Sequence, residues 1–218
     1  RMAEDGDSMG HVYAMYMLAT FRETSAYPLF IQFGRLPGEL PHDLGGDMVT
    51  EAFGRMLASV FDGDLGPIES LIEDPEVDEY VRGAALRSLL VLVANDRLSR
   101  DDVIVYFKIL MNGRLEREHS QVWDSLAAYA ADLHPAELME DIRRAYEDDL
   151  ANPAFVVMEE IERDALHDVE ATLVDLRKRC TLVDDPVKEM SWWYCFKPQQ
   201  TKPVKAAVVA AAPAKPIV

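Results

Sequence analysis

The feature that most constrains this chain is a recurrence. Apolar residues return at helical spacing along nearly its whole length, and strand-like alternation is almost absent. The junction triplets Ala26-Tyr27-Pro28, Leu65-Gly66-Pro67, Leu98-Ser99-Arg100 and Leu133-His134-Pro135 begin 39, 33 and 35 residues apart. At the 39-residue offset Met17-Leu18-Ala19 returns as Met56-Leu57-Ala58, Pro28 as Pro67 and Leu29 as Ile68. A lone helical hairpin leaves one apolar face exposed, and stacking a neighbour against it buries that face. A period of this length therefore marks stacked hairpins. The expected fold is all-α, a HEAT-like α-solenoid with about ten helices.

The stripes locate the helices. Val12, Met15, Tyr16 and Ala19 mark the first, and Leu29, Phe33 and Leu36 the second, closed by Pro37-Gly38. Val49, Ala52, Phe53, Met56, Leu57 and Val60 predict one continuous third helix. Ile68, Leu71 and Ile72 give a short fourth with Pro67 in its first turn. The fifth covers residues 81–94, and its Leu89-Leu90-Val91-Leu92-Val93 run is apolar all round, which places it mid-stack. Ser99 offers a capping hydroxyl to a sixth helix that turns Val103, Tyr106, Phe107 and Leu110 inward. Four more follow, through Val122, Leu126, Tyr129 and Leu133; Leu138, Ile142 and Ala145; residues 155–165; and Val169, Leu173, Leu176 and Cys180. Gly34, Gly38, Gly45 and Gly46 read as one inter-helix loop.

Hydrophobic residues make up 49% of the chain, enough to build a core, so it is not disordered overall. Its net charge is -17. The last stretch is rich in Lys, Pro and Ala and holds Lys197, Lys202, Lys205 and Lys215 without an acid. Setting those four aside leaves 18 basic against 39 acidic residues, a net of -21 on residues 1–196. Such a surface repels phosphates, which argues against nucleic acid and anionic membrane and favours a protein partner with a basic segment. Residues 1–196 are read as the helical domain and 197–218 as a linker or tail expected to be disordered. Two cysteines, Cys180 and Cys195, are too few for a disulfide framework and suit reduced thiols. No apolar run approaches the roughly 20 residues of a membrane span, and the expected location is cytoplasmic.

Chemistry-bearing motifs are missing. No two of His11, His42, His119, His134 and His167 have helical ligand spacing, and each reads as a surface or capping residue. Asp62, Asp64 and Glu73 imitate a calcium loop, but Gly66 and Pro67 stand where a ligand and the turn glycine belong. Asp5 and Asp7 fail the same test at Tyr16. No nucleophile elbow, phosphate loop or dinucleotide fingerprint occurs. Glu159, Glu160, Glu162 and Asp164 read as a solvated helix face. No catalytic, cofactor-binding or metal-binding residue is therefore singled out. The remaining oddity is Trp192-Trp193-Tyr194-Cys195-Phe196, where Trp192, Trp193, Tyr194 and Phe196 would cap the stack's end or anchor a partner.

Several runs resemble a known family. They are Ala26-Tyr27-Pro28-Leu29, Leu36-Pro37-Gly38-Glu39, Ala58-Ser59-Val60-Phe61-Asp62-Gly63-Asp64, residues 72–82, and the Trp192-Trp193 ending. Over roughly residues 10–196 the chain resembles the bacterial domain-of-unknown-function family eleven-eighty-six. The resemblance implies that a Lys/Pro-rich linker leads on to a small SEC-C zinc motif. Zinc would enter only if such a motif follows Val218, since the chain itself calls for no cofactor. The family carries no activity that could be transferred. Two functions are expected from these readings: an interaction scaffold using an acidic helical-repeat surface, or an enzyme with a carboxylate-lined pocket.

Overall fold

The computed structural model describes residues 9–191 and Trp193. Those residues form thirteen α-helices and no strand. They are α1 (Gly10–Thr20), α2 (Tyr27–Gly34), α3 (Leu40–Gly45), α4 (Met48–Glu51), α5 (Phe53–Val60), α6 (Gly66–Glu73) and α7 (Glu79–Ala94). The chain continues through α8 (Arg100–Ile109), α9 (Gln121–Asp132), α10 (Met139–Glu147), α11 (Met158–Asp164), α12 (Val169–Arg179) and α13 (Pro186–Met190). Two units are distinguished, Arg1–Pro186 and Val187–Val218, and the helical stack belongs to the first. No helix among the described residues is long and apolar enough to cross a membrane.

The helices pack in two layers. α1, α5, α7 and α9 lie side by side as an inner layer, each touching the next. α2 and α6 pair in an outer layer, which α8 and α10 continue, α10 meeting the turn that ends α8. Sequence explains the split. α7 is apolar on every side, and Leu90, Val91 and Leu92 are fully buried between α5, α6 and α9. Helices of the inner layer approach closely because small residues line the seams. A β-carbon added at Gly54 of α5 would stand 2.5 Å from the Ala84 carbonyl of α7. One added at Gly83 of α7 would stand 2.9 Å from Ser125 Oγ of α9.

The junctions that repeat in sequence are also bonded to one another in space. Tyr27 donates its hydroxyl to the Asp64 carbonyl at 2.9 Å. Arg100 donates to the Leu133 and His134 carbonyls at 2.7 and 2.8 Å. His134 Nε2 lies 3.1 Å from the His167 carbonyl in the turn before α12. Each turn thus grips one about a repeat further on, an arrangement consistent with a solenoid. Ions reinforce the same step: Arg82, 3% exposed, reaches Glu116 with both guanidinium nitrogens and the Ile72 carbonyl at 2.8 Å.

Four local expectations are corrected. Leu29 does not face the core but is 60% exposed; Tyr27, Phe30, Ile31 and Gly34 form the buried face of α2. The Tyr27 hydroxyl bond sets that rotation, and Phe30 then stacks on Phe53 with ring centroids 6.4 Å apart. The third helix breaks at Ala52 (φ -124°), which lets α4 and α5 both pack on α7. Ser99 stands at the N-cap of α8 without a side-chain cap bond, whereas Asp78 and Asp168 do cap α7 and α12. The supposed glycine loop contains α3: Gly34 and Gly45 end helices, while Gly46 takes the left-handed φ of 55° that favours glycine after a helix.

Candidate functional site

Past α12 the chain stops being helical, and residues 180–185 run as a strap over the inner layer. β-branched Thr181 and Val183, and Asp185 standing before Pro186, all disfavour another helical turn. Side chains of the layer then meet the strap's main chain at each step. Asn95, at the end of α7, donates to the Cys180 carbonyl at 3.0 Å. Arg55 of α5 donates to the Thr181 carbonyl at 2.8 Å and to the Leu182 carbonyl at 3.0 Å. Arg22, in the turn after α1, donates to the Val183 carbonyl at 2.5 Å. In return the Val183 N–H donates to Ser59 Oγ at 3.0 Å. Four successive carbonyls are thus held by side chains of three inner-layer segments.

Two strap side chains enter the layer. Cys180 is 1% and Val183 0% exposed, while Thr181 and Asp184 face solvent. Charges anchor both ends. Arg177 pairs with Asp96 at 3.4 Å, Arg179 with Asp132 at 2.9 Å, and Asp184 with Arg22. Burial pushes the Cys180 thiol above its ordinary range, and Asp132 adds to the effect. The thiol is therefore protonated and a poor nucleophile in this setting. Next to it Arg87 of α7 stands 5.9 Å from the ring of Tyr129 on α9, whose hydroxyl burial likewise pushes up.

Two hollows carry polar groups. One, of about 340 Å³, lies among α9, α11 and α12 and is lined by Asp132, Asp164, His167, Thr172, Asp175 and Arg179. Arg179 bridges Asp132 and Asp175, and His167 lies 3.7 Å from Asp164, so its carboxylates are each matched by a base. The other, of about 460 Å³, sits on α6 at Glu69, Ser70, Glu73 and Asp74. There Arg114 bonds Glu73 and Arg35 bonds Asp74, both at 3.1 Å. Tyr106 donates to Glu73 at 3.2 Å, and burial followed by the Glu73 charge pushes its hydroxyl upward. Among the described residues no group of His, Cys, Asp and Glu is placed to hold a metal ion.

Of the aromatic residues singled out from sequence, Trp193 is half-buried and its backbone N–H donates to the Met190 carbonyl at 2.9 Å. Trp192, Tyr194 and Phe196 lie outside the described residues. Glu159, Glu160 and Glu162 are exposed on α11, as a solvated face requires. His134 departs from the surface role expected of it: it is 6% exposed and has a left-handed φ of 68°. Sequence reasoning passed over Arg22, Arg55, Ser59 and Asn95, because nothing in a helical pattern says which polar residue will meet a segment more than 80 residues away.

The family described as Protein of unknown function (DUF1186) matches this chain over residues 1–197. The chain belongs to that family. A protein of Chlamydia trachomatis serovar D is 41% identical over 192 residues, covering 87% of this chain and 76% of the relative. A Chlamydia muridarum protein is 42% identical over the same length and coverage. Both relatives are named only as "Uncharacterized protein". No solved structure matches. The DUF1186 match takes in the two helical layers, the strap and the four residues that hold its main chain.

Proposed function

We propose that this DUF1186 chain is a protein-interaction module whose inner helical layer holds an extended polypeptide segment. One observation carries the reading: Asn95, Arg55 and Arg22 bond four successive backbone carbonyls of an unwound segment, and Ser59 accepts its N–H. Side chains that recognise main chain supply affinity for any extended segment, and pockets for alternate side chains supply selectivity. The acidic balance of the folded part suits this role. Asp96 and Asp132 place their charge where the held segment begins, and pair there with Arg177 and Arg179 in the last turn of α12. A cytoplasmic setting is proposed with it, since a free buried thiol at Cys180 suits reducing conditions.

The enzyme reading finds less support, because Asp132, Asp164 and Asp175 in one hollow and Glu73 and Asp74 in the other already face arginine or histidine partners. The test is selection of peptides from a displayed random library on the immobilised full chain. Enrichment of two apolar residues three positions apart, the first small and the second branched, is expected, with binding lost in Arg55→Ala. A library without any enriched pattern, or with one indifferent to Arg55→Ala, ends the reading.

A further inference from the structure

The geometry points to the strap as a removable occupant: residues 180–185 fill the inner-layer face in cis, and a partner's extended segment of the same pattern displaces them. This rests on the peptide-holding reading above. Three features make the strap separable from the stack. Beyond Cys180, whose N–H closes α12 on the Leu176 carbonyl, residues 181–185 have no helical hydrogen-bond ladder of their own. Only Cys180 and Val183 are driven inside, against a dozen or more buried side chains on α7. The rest of its hold is hydrogen bonds from Asn95, Ser59 and partly exposed arginines, and the Arg22–Asp184 ion pair, an exposed contact of the class that adds little to stability. Segments with few buried contacts open at a fraction of the cost of global unfolding.

The contacts also define what could take the strap's place. Four carbonyl bonds read any extended backbone. The Cys180 site admits a small side chain, and the Val183 site, three residues on, a branched apolar one. Arg22 selects a carboxylate one position later, at the place of Asp184. Asp132 and Asp96 stay paired with Arg179 and Arg177 of α12, so recognition starts at the small residue. The occupant is therefore a segment reading small-x-x-branched-acidic on a partner protein. The strap opposes it with an effective concentration of about millimolar, because it is tethered directly to α12.

Cys180 reports the exchange. In the full chain carrying Cys195→Ser it is the remaining thiol, and it is protected while the strap is seated. Its alkylation rate is measured alongside global unfolding in urea, with and without a synthetic peptide of residues 176–186 that has alanine in place of the cysteine. The expected result is labelling far faster than global unfolding allows, raised further and saturably by the peptide. Val183→Ala weakens the strap by two buried methyls and should lower the half-saturating peptide concentration about tenfold. A labelling rate that coincides with global unfolding overturns the proposal, because the strap is then part of the core. Fast labelling that the peptide leaves unchanged in both proteins also overturns it, and the library selection then decides separately whether the face holds any other segment. A labelling rate that falls with protein concentration, with a dimer appearing, assigns the exchange to a second copy and overturns the partner.

Discussion

At the scale of single residues, arginines supply polar links that cross between repeats. Arg82 is the most buried of them, and Glu116 is its counter-ion. Glu116→Ala leaves a buried guanidinium with only the Ile72 carbonyl, and should lower unfolding stability by about 1–3 kcal/mol in urea titrations. The Arg82 hydrogen bond holds the Glu116 carboxyl below its ordinary range, and the Arg100 hydrogen bond does the same for Glu137. A carboxylate held low when folded contributes stability above its unfolded value and loses it as pH falls through the folded one. Stability should therefore drop below about pH 4.3, the ordinary glutamate value. The double variant Glu116→Gln, Glu137→Gln should flatten that acid limb, as followed by thermal melts at several pH values. None of these partners could be read from sequence, because Glu116 and Glu137 stand in polar connections where spacing gives no contact.

At the scale of elements, α2 separates what periodicity can and cannot say. The helix itself was legible from Pro28 and the apolar spacing, but its rotation was not. Leu29, Phe33 and Leu36 make as good a stripe as Tyr27, Phe30 and Gly34, and the Tyr27 bond to the Asp64 carbonyl chooses between them. Leu29→Gln should then change stability by less than about 0.5 kcal/mol. Phe30→Ala, emptying a site 2% exposed against Phe53, should cost about 3–5 kcal/mol by chemical denaturation. Gly54 makes the same point between helices. Its environment is set by α7, not by its own helix, and Gly54→Ala should cost about 1–3 kcal/mol through overpacking against the Ala84 carbonyl.

At the scale of the whole molecule, charge acts in two opposite directions. The folded part carries a large excess of acid, and screening that self-repulsion with salt favours the compact state. The ion pairs flanking and within the strap, at Arg177 and Arg179 of α12 and at Asp184, are partly exposed and lose attraction under the same screening. Raising the salt concentration from about 0.01 M to 0.5 M should shift the urea midpoint upward while alkylation of Cys180 becomes faster. A single cooperative core would move both together.

By itself the sequence determined that this protein is helical, where most helices begin and end, and that their junctions repeat. Those are consequences of local spacing, capping and proline or glycine punctuation, which act over a few residues. The apolar run of α7 also announced its central place, because no helix buried on fewer sides tolerates it. Only the tertiary structure decided which face of α2 turns inward, that α4 and α5 part at Ala52, and that residues 180–185 return across α7, α5 and the turn after α1. The strap's partners lie 85 to 162 residues away in the chain. Contacts at that separation follow from how the repeats stack, and polar side chains such as Arg55 and Asn95 carry no local mark of the backbone they will meet.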